Sequence, residues 1–246
     1  MKEDAFYQED LASVHDQGYS DLSEQAAEVL LRELQRRGLT SGLVTDLGCG
    51  SGKLLEKLST NGYETVGVDF SPFLIEMGKQ RSPQIRFYTQ SIWDYQLEPS
   101  IAVSAIGEVI TYCFDQQNDD KNILNLFGRV YQKLVPNGVL LFDFLETDLL
   151  DQTGYDCKIV RQEGWTLVME YFENKQVHRL KRDITLFRKM ASGYYRRSRE
   201  VHEVRLFTTS FIVESLERAG FSIRLLDQYN GQKLRDKHHA VLATKK

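Results

Sequence analysis

The sequence predicts an α/β fold in which seven strands form one mainly parallel sheet, with an amino-terminal helical cap and an antiparallel β insertion after strand five. Three observations carry this expectation. From Leu43 onward short β-branched runs alternate with longer helical stretches, the pattern of βα units that share a parallel sheet. The run Val139-Leu140-Leu141-Phe142 is continuously apolar, as a strand covered on both faces must be. Between about residues 146 and 206 the alternation gives way to long strands with few helix signals.

Taken in order, the cap spans residues 1–40 and contains an amphipathic helix from Ser20 to Arg37, with Leu22, Ala26, Val29, Leu30 and Leu34 at helical spacing. Leu43–Leu47 is the first strand, and a glycine-rich turn opens a helix that Asn61-Gly62 closes. Glu64–Asp69 is the second strand. Ser71-Pro72 then supplies an N-cap and a proline at the first helical position, and that helix runs to Arg81. Ile85–Tyr88 and Ile101–Ile106 are the third and fourth strands, followed by a helix over Asp119–Leu134. Pro136-Asn137-Gly138 is a turn that leads into strand five. This core, residues 41–145, resumes over residues 207–246 with a helix at Phe211–Ala219, a stop at Gly220, and strands at Phe221–Leu226 and His239–Thr244. Within the insertion, residues 146–206, the strands are Trp165–Phe172, Val177–Phe187 and Tyr194–Leu206, joined as hairpins at Asn174-Lys175 and Ser192-Gly193.

Composition narrows the function classes. The chain has 246 residues, 41% of them hydrophobic, enough for one domain with a single core. A net charge of -4 gives no field suited to wrapping a nucleic-acid backbone. The acidic start MKEDAFYQED lacks a secretory pattern, and no apolar run is long enough to span a bilayer, so the expectation is a cytoplasmic protein without a membrane partner. Cys49, Cys113 and Cys157 are odd in number and far apart, which fits reduced thiols rather than bridges or a metal site. His238 and His239 have no companions at ligand spacing, so no metal is expected.

The chemistry concentrates in Asp46-Leu47-Gly48-Cys49-Gly50-Ser51-Gly52, between the first strand and its helix. Glycines there let the chain turn tightly and let a ligand approach the main chain. The spacing is G-x-G-x-G, without the third-glycine offset of a dinucleotide fingerprint, which argues against a nicotinamide-dependent oxidoreductase. Lys53 lacks the flanking pattern of a P-loop. Asp69 closes the second strand, where a carboxylate accepts hydrogen bonds from vicinal ribose hydroxyls, and Phe70 beside it can flank a purine.

With these residues the sequence resembles the class I S-adenosylmethionine-dependent methyltransferases of small molecules, over essentially the whole chain. The resemblance implies a Rossmann-like core and S-adenosyl-L-methionine as cofactor. By it, Asp46 helps hold the methionine end, Gly48, Cys49 and Gly50 contact the cofactor through their backbone, and Asp69 binds the ribose. Ser91, Ile92 and Trp93 fall near the adenine, where the usual acidic residue is missing at Ser91 and Asp94 could replace it. Tyr7 and Tyr19, in the cap, would fold over the cofactor with His15 as a polar lid contact to substrate.

The segment after strand four, Gly107-Glu108-Val109-Ile110-Thr111-Tyr112, should face the transferable methyl. Gly107 is expected at the cofactor, and Glu108 and Tyr112 are the candidates to orient or deprotonate an acceptor, although packing roles stand equally open for both. The insertion resembles the substrate platform of sugar N-methyltransferases, with its closest stretch around His202, a candidate substrate contact. Tyr112 lies where those enzymes carry a histidine. Arg179, Lys181, Arg182, Arg188, Lys189, Arg196, Arg197 and Arg199 could favour an anionic substrate, or could simply form a solvated sheet face. The expected partner is a small-molecule acceptor methylated on nitrogen or oxygen, and a homodimer is compatible with the sequence. A non-catalytic cofactor-binding module and an RNA or protein methyltransferase remain as alternatives.

Overall fold

Short apolar strands and amphipathic helices alternate along the chain. A computed structural model describes residues 6–18 and 21–246. In chain order the elements are α1 (Glu9–Gly18), α2 (Asp21–Arg36), β1 (Leu43–Leu47), α3 (Lys53–Thr60), β2 (Glu64–Asp69), α4 (Pro72–Arg81), β3 (Arg86–Thr89), β4 (Ser100–Ala105), α5 (Asp120–Lys133) and β5 (Leu134–Leu145). The insertion follows as β6 (Tyr155–Gln162), β7 (Trp165–Asn174), β8 (Arg179–Lys189) and β9 (Tyr195–Arg205). The chain ends with α6 (Thr209–Ala219), β10 (Phe221–Leu226), the short pair β11 (Gln228–Tyr229) and β12 (Gln232–Lys233), and β13 (His238–Lys245).

The seven-stranded sheet has the order β10-β13-β5-β4-β1-β2-β3. Only β13 is reversed: it pairs antiparallel with both β10 and β5. Alternate residues of each strand serve opposite faces. Phe142 and Phe144 pack with Ile123, Phe127, Val130 and Ile212 of α5 and α6. Leu141 and Leu242 pack with Leu30 and Leu34 of α2 and Leu55 and Leu58 of α3. Helix starts follow local capping: Ser71, Asp119 and Thr208 each accept a backbone N–H from the first turn of the helix they precede.

Several expectations are refined. Pro136-Asn137-Gly138 does not precede strand five but forms a bulge inside it, where pairing with β4 jumps from Ser100↔Leu134 to Ala102↔Val139 and Asn137 has φ +64°. The helix read from Ser20 is described from Asp21, and Ser20 and Tyr19 lie outside the described residues. The separate helix α1, the edge strand β6 and the β11–β12 pair carry weak sequence signals and were not resolved as elements by periodicity. Among the described residues no helix is long and apolar enough to cross a membrane.

The inserted strands form their own antiparallel sheet in the order β6-β7-β8-β9. Its inner face carries Trp165, Leu167, Met169, Ile184 and Leu186, which bury Leu11 and Val14 of α1. Leu180, Val204 and Leu206 join it to Leu145 at the end of β5. The register aligns Asp156, Tyr171, Arg182 and His202 as one row across all four strands on that inner face.

Candidate active site

A cavity of about 440 Å³ lies at the carboxyl ends of β1, β2 and β4, between the core, α1 and the inner face of the inserted sheet. This is where open α/β sheets place ligands. Its two ends differ in chemistry.

One end is built by the glycine loop. Gly48 has φ +68°, and a Cβ there would sit 2.4 Å from Val109, so only glycine allows β1 to meet the segment after β4. The N–H groups of Gly48 and Cys49 donate to Val68 O at 2.7 and 3.0 Å, which ties the loop to β2. Gly50 N donates to Asp69 Oδ2 and Ser71 N to Asp69 Oδ1, both at 2.8 Å. Burial raises the Asp69 pKa, while these backbone donors oppose the shift. Phe70, Ser91, Ile92 and Trp93 complete this wall. The Ser91 hydroxyl donates to Asp115, which also lines the cavity, whereas Asp94 is exposed and accepts from Gln117 at 3.2 Å. The carboxylate beside Ser91 is therefore Asp115, brought from the loop after β4, and not Asp94.

The other end is polar and crowded. Gly107 and Glu108 both have left-handed backbone, with φ +93° and +65°. For a glutamate that conformation costs about 1–3 kcal/mol and needs support from its surroundings. Asp143, fully buried on β5, provides it by accepting from the N–H groups of Gly107 and Glu108. The same carboxylate accepts from Tyr229 Oη at 2.9 Å and binds His238 Nε2 at 3.0 Å. Burial lowers the His238 pKa, but Asp143 and then Glu108 outweigh it, so the net shift is upward.

Glu108 pairs with Arg182. Burial alone would raise the Glu108 carboxyl, yet Arg182, with His238 and Arg235, holds it below the usual range. Arg182 Nη1 lies 3.4 Å from the Tyr112 hydroxyl, which shares a 3.0 Å hydrogen bond with Tyr7. Burial pushes both phenols up, so both are neutral. His202 Nε2 is 2.9 Å from Glu200, whose carboxylate also accepts from the N–H groups of Tyr7 and Gln8. Rings of Tyr7, Tyr112, Phe114 and His202 stand within 6.5 Å of one another, centroid to centroid.

Helix α1 closes the cavity and is tied at both ends. Asp10 meets Arg188 and Arg196 of the insertion, and Asp16 meets Arg81 and Ser51 of the core. His15, on the inner side of α1, is pulled down to about 4 by burial, partly opposed by Asp16, and is neutral near pH 7.

Of the residues expected from sequence, Gly48, Gly50, Asp69, Phe70, Ser91, Ile92, Gly107, Glu108, Tyr112, Tyr7, His15 and His202 all line this cavity. Two do not. Cys49 points its thiol into the core, where a Cβ on Gly67 would touch it at 2.7 Å, and its N–H is already used. Asp46 lies behind the loop and accepts from Ser104 Oγ at 2.6 Å. Tyr19 lies outside the described residues. Asp143, Tyr229 and Asp115 escaped the sequence reading, His238 entered it only as a histidine without companions at ligand spacing, and Arg182 appeared in it only as part of a basic stripe. Most of that stripe is paired: Arg179 with Glu203, Lys181 and Arg199 with Asp183, Arg182 with Glu108, and Arg188 and Arg196 with Asp10. Among the described residues there is no group of side chains that could hold a metal ion.

A family model described as a methyltransferase domain matches residues 20–226. YqeM of Bacillus subtilis (strain 168) is 25% identical over 189 residues, 74% of each chain. The crystal structure of an S-adenosylmethionine-dependent methyltransferase from Clostridium acetobutylicum ATCC 824 superposes with a TM-score of 0.80 at 20% identity, covering 96% of this chain and 98% of that one. The S-adenosylmethionine-bound structure of CalS10, an amino pentose methyltransferase from Micromonospora echinaspora, superposes with a TM-score of 0.75 at 19% identity over 100% of both chains.

Proposed function

Because the chain belongs to the methyltransferase domain family, we propose that it transfers a methyl group from S-adenosylmethionine to a nitrogen or oxygen of a small-molecule acceptor. The observation that carries this is the single cavity that joins Gly48, Gly50 and Asp69 at one end to Glu108, Tyr112, Arg182 and His202 at the other.

The glycine-loop end fits the cofactor. A Cβ at Gly50 or Gly107 would meet nothing within 4 Å, and both residues line the cavity, so each leaves room for a ligand against the main chain. Each Asp69 oxygen accepts one backbone N–H and keeps a lone pair for a ribose hydroxyl. Phe70 and Ile92 would flank the adenine, and Asp115 with Ser91 would accept from its edge. When bound, S-adenosylmethionine supplies an electrophilic methyl on a sulfonium, open to in-line displacement.

At the acceptor end the chain acts by positioning. Glu108 is an ionised carboxylate engaged by Arg182, which suits holding an acceptor N–H or O–H better than taking up a proton. Tyr112 and Tyr7 are neutral hydroxyls that orient lone pairs. His202, braced by Glu200, is the residue best supported to receive the proton as transfer proceeds. Alignment in a cavity closed by α1 supplies much of the acceleration.

The same reading treats residues 1–246 as one methyltransferase domain, with a cap over 1–40, the core over 41–145 and 207–246, and the acceptor wall over 146–206. Three free cysteines support a reducing, cytoplasmic setting. Tyr155, Ile159, Phe172, Phe187 and Val201 are exposed on the outer face of the inserted sheet and support a homodimer.

The test is calorimetric titration with S-adenosylmethionine, S-adenosylhomocysteine and NAD(H), then release of S-adenosylhomocysteine with panels of amines, alcohols and acids. Binding of both sulfur ligands without a nicotinamide response is expected. No binding of either sulfur ligand would overturn the reading.

A further inference from the structure

The acceptor end of the cavity carries more positive charge than its own carboxylate balances. Glu108 is matched by Arg182, and Asp143 is committed to His238 and the backbone of residues 107 and 108. Beyond these, Lys158, Lys233 and Arg235 also line the cavity, and all three are exposed at its mouth.

They arrive there from two sides. On β6, Lys158 pairs with Met169 in the row next to Tyr171 and Arg182, so its side chain belongs to the inner face of the inserted sheet. Opposite, the tight turn at Asn230-Gly231, with φ +47° and +88°, closes the β11–β12 pair and directs Lys233 and Arg235 toward the same mouth. The β11–β12 pair is itself anchored through Tyr229, whose hydroxyl binds Asp143.

Among the described residues, Lys158 and Lys233 form no ion pair, and Arg235 reaches only Glu108, at 3.8 Å, where Arg182 is already bound. Asp156, on the same face as Lys158, forms no ion pair with any of the three. Arg182 Nε is buried without a partner, a donor left over at the floor of this end. Two unpaired lysines and Arg235, held only at 3.8 Å by Glu108, outnumber the one further exposed carboxylate that lines the cavity, Asp21, and with a spare guanidinium N–H below them they form a site for an anion.

On the reading that this cavity performs methyl transfer, we propose that the acceptor bears a carboxylate or phosphate, held at the mouth by Lys158, Lys233 and Arg235 while the methylated atom lies between Glu108, Tyr112 and His202. Arg182 apart, the basic stripe on β8 and β9 takes no part, being largely paired with α1 and with its own carboxylates.

The test uses full-length protein saturated with S-adenosylhomocysteine and titrated with benzoate, phenyl phosphate, benzamide and benzyl alcohol. At least one charged probe should bind ten times or more tighter than its neutral counterpart, and K158Q/K233Q/R235Q should abolish that preference while S-adenosylhomocysteine affinity stays within about twofold. The stronger charged probe distinguishes carboxylate from phosphate. No charged preference in the wild type, including no binding of any probe, or a preference that survives in the triple variant, would overturn the proposal. Failure to bind S-adenosylhomocysteine would instead count against the methyltransferase reading itself.

Discussion

Replacing Asp143 with asparagine should unfold the support of the acceptor loop from behind. In the wild type its carboxylate gathers Gly107 N at 3.1 Å, Glu108 N, Tyr229 Oη at 2.9 Å and His238 Nε2 at 3.0 Å, with no exposure to solvent. Asparagine keeps one oxygen and places an amide nitrogen among these donors. The Tyr229 hydroxyl can rotate to accept from that nitrogen. The bonds from Gly107, Glu108 and His238 would then meet a neutral acceptor, at roughly half the strength. With about 1.5–3 kcal/mol for each bond to a charged group, the three halved bonds lose about 2–4.5 kcal/mol. At about 2–4 °C per kcal/mol for a chain of this size, Tm should fall by roughly 5–18 °C. Differential scanning calorimetry reads this without knowledge of the acceptor. The folded-state pKa of His238 is raised, so its stabilisation is complete below its ordinary value near 6.5 and is lost as pH rises through the folded value. The gap between wild type and D143N should therefore narrow from mildly acidic to mildly basic pH. A Tm within about 2 °C of wild type would refute the account of Asp143 as the support of the Glu108 turn.

Three further outcomes are expected. D69A should weaken S-adenosylmethionine binding by about tenfold or more, since a hydrogen bond to a charged group is worth about 1.5–3 kcal/mol, and unchanged affinity in a folded variant would remove Asp69 from the ribose site. R182L should destabilise by about 3–5 kcal/mol in urea unfolding, because it strands Glu108, while E108L/R182L should recover most of that loss; additive costs would deny the pairing. Burial raises Asp46 to about 7, so the folded state holds a proton that the unfolded chain releases near 4, and stability should fall as pH rises between those values. D46N should flatten that slope, and an unchanged slope would argue that Asp46 ionises normally.

The cofactor end was legible because it is local. Gly48, Gly50 and Asp69 sit at the ends of neighbouring strands, and their spacing alone places them together. The acceptor end is long-range in origin, and there sequence pattern loses its grip. Arg182 reads as one more basic residue until the pairing of β7, β8 and β9 lifts it over Glu108, 74 positions away. Asp143 lies inside an apolar run and has no motif; only the return of β13 and the β11–β12 pair brings His238 and Tyr229 to it. Asp115 was missed in favour of Asp94 because proximity to Ser91 in sequence is not proximity through a loop. Pro136-Asn137-Gly138 carries every mark of a turn, yet pairing on either side of it makes those residues a bulge within β5.

The row formed by Asp156, Tyr171, Arg182 and His202 ties the acceptor wall to strand register rather than to loop conformation. Side chains two residues apart on these strands share a face, so substitutions at 156, 158, 169, 171, 184 and 202 alter what the wall presents without disturbing the glycine loop that holds the other end. On the proposed reading, acceptor choice and cofactor binding are thus separable by mutation, and the pair between Glu108 and Arg182 fastens the inserted sheet to the core segment after β4. A chain built this way can acquire a new acceptor through a few exchanges on one sheet face, while a single-residue slip of β8 would turn Arg182 to solvent and disable the enzyme at once.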